Sequence, residues 1–198
     1  MAATLAVGNK AELGADVFNG GGTLTTGGYN RIAKFGTGTG DTSWANPNVN
    51  GDFNTAGVGM SATESIFSSD KALEADPLVP DGVAENSVFN IVLPYIRSAR
   101  EGVSRLGELI EKHGIAEGFG IGFVDSREIW YLETASGHRW LAFRMPEDRY
   151  FVTGNQSRFR EYEPDDKDNF LASADLINFA AAHQLCSRRK GGRYRRQK

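Results

Sequence analysis

Cysteine is almost absent from this chain. Cys186 stands alone, so no internal disulfide can form and nothing in the sequence asks for an oxidising compartment. Histidine is scarce too: His113, His138 and His183 lie at no mutual ligand spacing, so a zinc site built on Cys and His is poorly supplied. No metal and no cofactor is implied. Long apolar runs are missing, since none approaches the roughly 18 residues that a membrane helix needs. The opening Met1-Ala2-Ala3-Thr4-Leu5-Ala6-Val7-Gly8 is apolar but short, lacks a basic leader and runs into Asn9-Lys10-Ala11-Glu12. The expectation is a chain without a signal peptide, without a membrane partner, and cytoplasmic. Acidic residues are absent from 187–198, where Arg188, Arg189, Lys190, Arg193, Arg195, Arg196 and Lys198 cluster. The remainder carries fifteen basic against 25 acidic residues, an acidic body joined to a basic end.

The 198 residues, 40% of them hydrophobic, suit one domain with a real core. Residues 14–51 are crowded with Gly, Thr and Asn, as in Asn19-Gly20-Gly21-Gly22-Thr23 and Gly36-Thr37-Gly38-Thr39-Gly40. Such a stretch loses much entropy on ordering and reads as a poorly ordered loop. A phosphate-binding loop would need a Gly-Lys-Ser/Thr ending and a following helix pattern, and neither appears. The expected organisation is a single domain over 1–185, glycine-rich at 14–51, and a disordered basic tail over 186–198.

Between these zones the pattern is that of a folded α+β domain. Val58 to Thr63 reads as a strand. Asn86 or Ser87 is placed to cap a short helix carrying Val88, Phe89, Val92 and Leu93, which Pro94 would kink or restart. Ser98-Ala99-Arg100-Glu101 has the form of a capping box, in which the serine caps the amide three residues on and the glutamate reaches back. Ala99, Val103, Leu106 and Ile110 then repeat at helical period, and Gly114 would end that helix in a left-handed conformation. Gly120 to Val124, Glu128 to Thr134, Arg139 to Arg144 and Arg149 to Thr153 read as short strands joined by tight polar turns, the signature of an antiparallel meander. A last helix is expected from Ser173 to Gln184, with Leu176, Ile177, Phe179, Ala180 and His183 on one face.

Four sets of residues stand out together: Gly57-Val58-Gly59-Met60-Ser61-Ala62-Thr63-Glu64-Ser65; Leu93 through Val103 with Leu106-Gly107-Glu108-Leu109-Ile110; Glu128-Ile129-Trp130-Tyr131-Leu132-Glu133-Thr134 with Gly137-His138 and Trp140; and Asn155-Gln156, Asp168-Asn169-Phe170 and Ser173. In this order they resemble the cysteine-type dipeptidases, N-terminal-nucleophile hydrolases related to the secernins. The resemblance runs from about Asn54 to Leu185. It implies an αββα sandwich of antiparallel sheets with packed helices, incomplete in this chain, and hydrolysis of dipeptides. It also implies a mechanism. The mature enzyme begins with a cysteine whose thiolate attacks the peptide carbonyl, and its free α-amine, with a pKa of about 7.7–8.0, serves as the base.

The chain departs from that pattern at three points. The family start resembles Cys-Thr-Thr, apolar residues, Gly, then Lys, and in that register Ala2 stands at the nucleophile position. A methyl group cannot attack a carbonyl, so the chain is expected to be inactive. Thr4 would need two further residues trimmed, and Cys186 sits at the far end. The family's Arg-Asn-Glu-Asp-like stretch is replaced by Ala15-Asp16-Val17-Phe18-Asn19. Family members also extend further, so a truncated or frameshifted end is an expectation.

Among the remaining residues, the resemblance gives Asn155 an oxyanion-stabilising role; a turn asparagine after Gly154 is the alternative. Asn54 is a candidate to line the same pocket, or a turn residue. Glu64 and Glu133 are candidates to bind a substrate amine, or to pair with Arg97, Arg100 or Arg144. His138 is a substrate-binding candidate or a residue packed on Trp140 or Trp130. The expected partners are a dipeptide and a second copy in a homo-oligomer. The alternative to an enzyme is a non-catalytic peptide-binding remnant, or one making weak, non-specific, salt-dependent nucleic-acid contact through the basic tail.

Overall fold

The computed structural model describes residues 30–31, 52–54, 56–64, 66–153 and 155–196. Most of the glycine-rich zone, and Ala2 and Thr4, lie outside the described residues. In chain order the elements are β1 (Asn30–Arg31), β2 (Asp52–Phe53), β3 (Gly59–Glu64), α1 (Asp70–Ala75), α2 (Glu85–Val92), a 3-10 turn (Leu93–Tyr95), α3 (Ala99–His113), β4 (Phe119–Val124), β5 (Ile129–Ser136), β6 (Arg139–Arg144), β7 (Glu161–Tyr162), β8 (Phe170–Ala172), α4 (Leu176–Ala182), β9 (Cys186–Arg188) and β10 (Tyr194–Arg196).

The fold is α+β. Seven strands form one antiparallel sheet in the order β1-β2-β3-β4-β5-β6-β8. The expected helix α3 is present with its expected ends. Ser98 Oγ accepts the Glu101 amide at 3.1 Å. The Glu101 carboxylate reaches one residue further back than a capping box requires and accepts the Arg97 amide at 2.8 Å. Gly114 closes the helix at φ 71°, a backbone that a Cβ would strain. Helix α2 starts earlier than expected, at Glu85 after Ala84; Ser87 turns its hydroxyl back onto the Ala84 carbonyl instead of capping. Pro94 restarts the chain as the 3-10 turn, where its missing N–H costs nothing.

Helices α2 and α3 cover one face of the sheet. Period-two alternation sends Phe119, Ile121 and Phe123 of β4, Trp130 and Leu132 of β5, and Trp140 and Ala142 of β6 toward Val88, Val92, Val103, Leu106 and Ile110. All are buried. Two glycines of α3 permit this close approach: a Cβ at Gly102 would meet the Phe123 ring, and one at Gly107 would overlap the Trp140 indole. Asn54 pins the sheet to the 3-10 turn. Its amide donates to the Leu93 and Ile96 carbonyls at 2.8 Å each, and its Oδ1 accepts the Ala56 and Val58 amides.

The opposite sheet face carries the intervening residues. Tyr131, Phe143, Phe151 and Phe159 form an aromatic cluster there, with Tyr131 and Phe151 centroids 4.9 Å apart and Phe143 and Phe159 5.0 Å apart.

Two expectations are corrected. Arg149 to Thr153 forms no strand: Phe151 packs on Tyr131 and Phe143 while Tyr150 and Val152 stay exposed, and the edge of β6 is taken by β8. The basic stretch expected as a disordered tail forms a hairpin, β9 and β10, in a second antiparallel sheet of order β7-β10-β9. Gly191 (φ 84°) and Gly192 (φ 81°) make its turn, and Arg193 pairs with Glu163 at 2.8 Å. The charges that suggested disorder are accommodated because Arg188, Arg189, Lys190, Arg193, Arg195 and Arg196 all stay exposed. Helix α4 is also shorter than expected and has no fully buried residue.

Candidate functional site

The sheet face away from α3 brings polar groups together at the end of β5. Glu133 points there by alternation, opposite Leu132 and Thr134, and is buried. It does not pair with Arg97, Arg100 or Arg144. Arg100 lies over Trp130 and donates to the Lys167 and Asp168 carbonyls, and Arg144 pairs with Glu128 and Glu147. Glu133 instead accepts the Ser157 hydroxyl at 2.7 Å and the Arg158 amide at 2.5 Å, with the Phe159 amide at 3.5 Å. Arg196 of β10 donates to Ser157 at 2.9 Å, so the basic hairpin closes over this cluster.

Burial pushes the Glu133 carboxyl above the usual carboxylate range, and the Arg158, Ser157 and Phe159 donors with the Arg196 charge offset this only in part. The sign follows by linkage. A carboxyl raised in the fold contributes its stability below the usual glutamate range, and loses it as pH rises through the raised value. At neutral pH an ionised Glu133 therefore costs stability. Beside it, burial raises the Tyr131 phenol, whose hydroxyl meets Thr63 Oγ1 at 3.3 Å. Asn155 is exposed, two residues before Ser157. A cavity of about 340 Å³ adjoins Glu133 and Ser157, walled by Ile66, Phe159, Phe179 and Leu185 among others. Cys186 lines it as well, with its thiol pushed up by burial and therefore a poor nucleophile at neutral pH.

The other sequence candidates lie elsewhere. The side chain of Glu64 is outside the described residues. In Asn54 both amide hydrogens and the side-chain oxygen are committed to backbone, so the structure leaves it no donor for a substrate and makes it a tie between elements. His138 is tied to an acid. Its Nδ1 lies 2.8 Å from Asp76, which also accepts the His138 amide at 2.6 Å, the Ser136 hydroxyl at 2.6 Å and Arg139 at 2.9 Å. Burial alone would raise the Asp76 carboxyl, but these four donors hold it below the usual carboxylate range. Arg139 continues to Asp175 at 2.6 Å and lies 3.9 Å over Phe179, joining α1, the β5–β6 turn and α4.

Sequence reasoning missed Asp76, Ser136, Arg139 and Ser157. The one available signal was Asp76 itself, an acid set between Ala75 and Pro77. Among the described residues, no cluster of His, Cys, Asp and Glu is arranged to hold a metal ion, and no helix is long and apolar enough to cross a membrane.

Geometry defines an α+β chain with a buried, donor-held glutamate on one sheet face, and sequence comparison supplies its family. The model of peptidase family C69 matches residues 34–197, and the chain belongs to that family, one of cysteine-type dipeptidases. It is 50% identical over 149 residues to a "Probable dipeptidase" of Salmonella dublin, covering 74% of this chain and 34% of that protein. It is 45% identical over 145 residues to "Probable dipeptidase A" of Streptococcus pyogenes serotype M1, covering 73% and 30%. With "Dipeptidase A" of Lactobacillus helveticus it shares 36% identity over 151 residues, covering 75% and 31%. The chain spans about a third of the length of these curated relatives.

Proposed function

We propose that this chain is a dipeptidase-type protein that recognises a dipeptide and does not cleave it. The observation that carries the reading is family membership, with 50% identity over 149 residues to a protein named as a dipeptidase. In the register of the family start, Ala2 replaces the cysteine. Its α-amine could still act as a base, but it has no thiolate beside it to activate. The fold proposed for the family is the αββα sandwich of the N-terminal-nucleophile hydrolases. A sheet packed by α2 and α3 on one face, with Thr63, Tyr131 and Glu133 on the other, supplies one helix layer and one sheet layer of such an arrangement. Asn155 would present its side-chain amide to the carbonyl oxygen of the bound peptide.

Calorimetry on the purified chain tests recognition. Titration with dipeptides should give saturable heat, and the same concentration of free amino acids should give none. Flat titrations with dipeptides of several compositions would count against the reading.

The basic hairpin favours a second reading. Arg188, Arg189, Lys190 and Arg193 are exposed and surround Glu161 with Arg195, a surface suited to phosphate contact. Filter binding with RNA at two salt concentrations separates the readings, because contact through this hairpin would weaken steeply as salt rises.

A further inference from the structure

We propose that Glu133 is a positioning residue: its buried carboxylate gathers Ser157, Arg158 and Phe159 and thereby fixes where Asn155 stands. The inference rests on the dipeptidase reading for what Asn155 does, and on geometry for how it is held.

Residues 155–160 have no helix or strand pairing of their own to fix their path. Asn155 and Gln156 form a bend, and the segment leaves Phe159 on the aromatic cluster before entering β7. At its far end the Arg160 carbonyl accepts the Arg196 amide at 3.2 Å, and nearer Asn155 the segment is gathered by one acceptor. Glu133 takes a hydroxyl and two successive amides from Ser157, Arg158 and Phe159. Consecutive donors converging on one carboxylate fix the local backbone as a nest fixes an anion, here with the anion built into the adjacent strand. Glu133 itself has little freedom. It lies in β5, paired to Gly120 on one side and Leu141 on the other, with Leu132 and Thr134 buried beside it. The rigid sheet therefore dictates the position of a segment that would otherwise follow its own loop preferences.

The groups facing Glu133 fit this role. The uncharged Tyr131 phenol is on its own strand and the Arg196 cation comes from β10; Lys71, Arg160, Glu161 and Arg195 stand around the adjoining cavity. Arg196 reaches Ser157, so the cation stiffens the same segment through its hydroxyl. A carboxylate kept in a buried place that disfavours its ionised form, and surrounded by donors from one short loop, is more than a filler of that place.

The test uses the full chain in five forms: unaltered, Glu133→Ala, Glu133→Gln, Asn155→Ala and the Glu133→Ala/Asn155→Ala double variant. Hydrogen exchange reads the latch. Peptides spanning 155–160 should exchange about tenfold faster in Glu133→Ala, while those of β4 and β6 are unchanged. Glu133→Gln, which keeps one acceptor oxygen of similar reach, should recover part of the protection. Equal exchange of 155–160 in all forms would overturn the latch.

Binding of a phosphinic dipeptide analogue reads its consequence, since the tetrahedral anionic group stands in for the oxyanion and needs no nucleophile. Glu133→Ala and Asn155→Ala should each weaken binding about tenfold, and the double variant no more than either alone, because one acts through the other. Multiplying losses would show that Glu133 acts apart from Asn155 and would refute the proposal. If Asn155→Ala binds the analogue as tightly as the unaltered chain, the oxyanion reading of Asn155 falls, whereas the exchange result still decides the latch.

Discussion

Gly107→Leu is expected to abolish cooperative thermal unfolding of the chain. Gly107 lies in the buried stripe of α3, and a Cβ there would coincide with Trp140 ring atoms. The indole has no easy retreat. Trp140 is 5% exposed, it sits in β6 between the helix and the sheet, and its Nε1 donates to Glu111 at 2.9 Å. Overpacking a close-packed core costs about 1–3 kcal/mol. Expelling a buried tryptophan costs about 3–5 kcal/mol by comparison with its truncation. Either the helix lifts from the sheet or the indole leaves, and since a Cβ already coincides with the ring, either outcome takes a large share of a domain's whole stability, about 5–15 kcal/mol. Ser104→Ala on the exposed face of the same helix is the control and should melt like the unaltered chain. Circular dichroism with a thermal scan checks both. A cooperative melt of Gly107→Leu within a few degrees of the parent would mean that α3 does not sit on Trp140 as described.

Asp76→Ala should destabilise the chain by about 3 kcal/mol at pH 7, because it leaves Ser136, His138 and Arg139 without their shared acceptor. The pH dependence identifies the cause. The native carboxyl lies below the usual carboxylate range, so its contribution is present above that range and lost as pH falls through the lowered value. Urea denaturation at pH 7 should therefore show the full difference between variant and parent, and the gap should narrow steadily in strong acid. A gap that stayed constant into strong acid would assign the loss to packing and not to charge. The effect reaches beyond one turn, because Arg139 links Asp76 to Asp175 at the start of α4.

Local signals carried far. Helix α3 was legible because its cap, its apolar period and its terminal glycine all lie within seventeen consecutive residues and agree with one another. The β4–β6 meander was legible because tight polar turns separate alternating strands. What could not be read depends on partners distant in sequence. The basic hairpin looks disordered from composition; it is placed by pairing with Glu161–Tyr162 and by Arg196 reaching Ser157 and the Phe67 carbonyl. Arg149 to Thr153 has strand-like residues, yet Phe151 is drawn into an aromatic cluster and no neighbouring strand is left to pair. In the site, Glu133 was singled out from its block, but its partners 24 to 26 residues away were not. Asp76 joins groups 60 and 62 residues distant, and nothing near it in the chain announces them.

Dipeptide turnover by the purified, unaltered chain, followed to long times at high protein concentration by release of free amino acids, bears most directly on the proposal that the chain binds a dipeptide without cleaving it. The proposal predicts no release above the protein-free control. Steady release that scales with protein, survives thiol-blocking reagents and persists after further purification would contradict it.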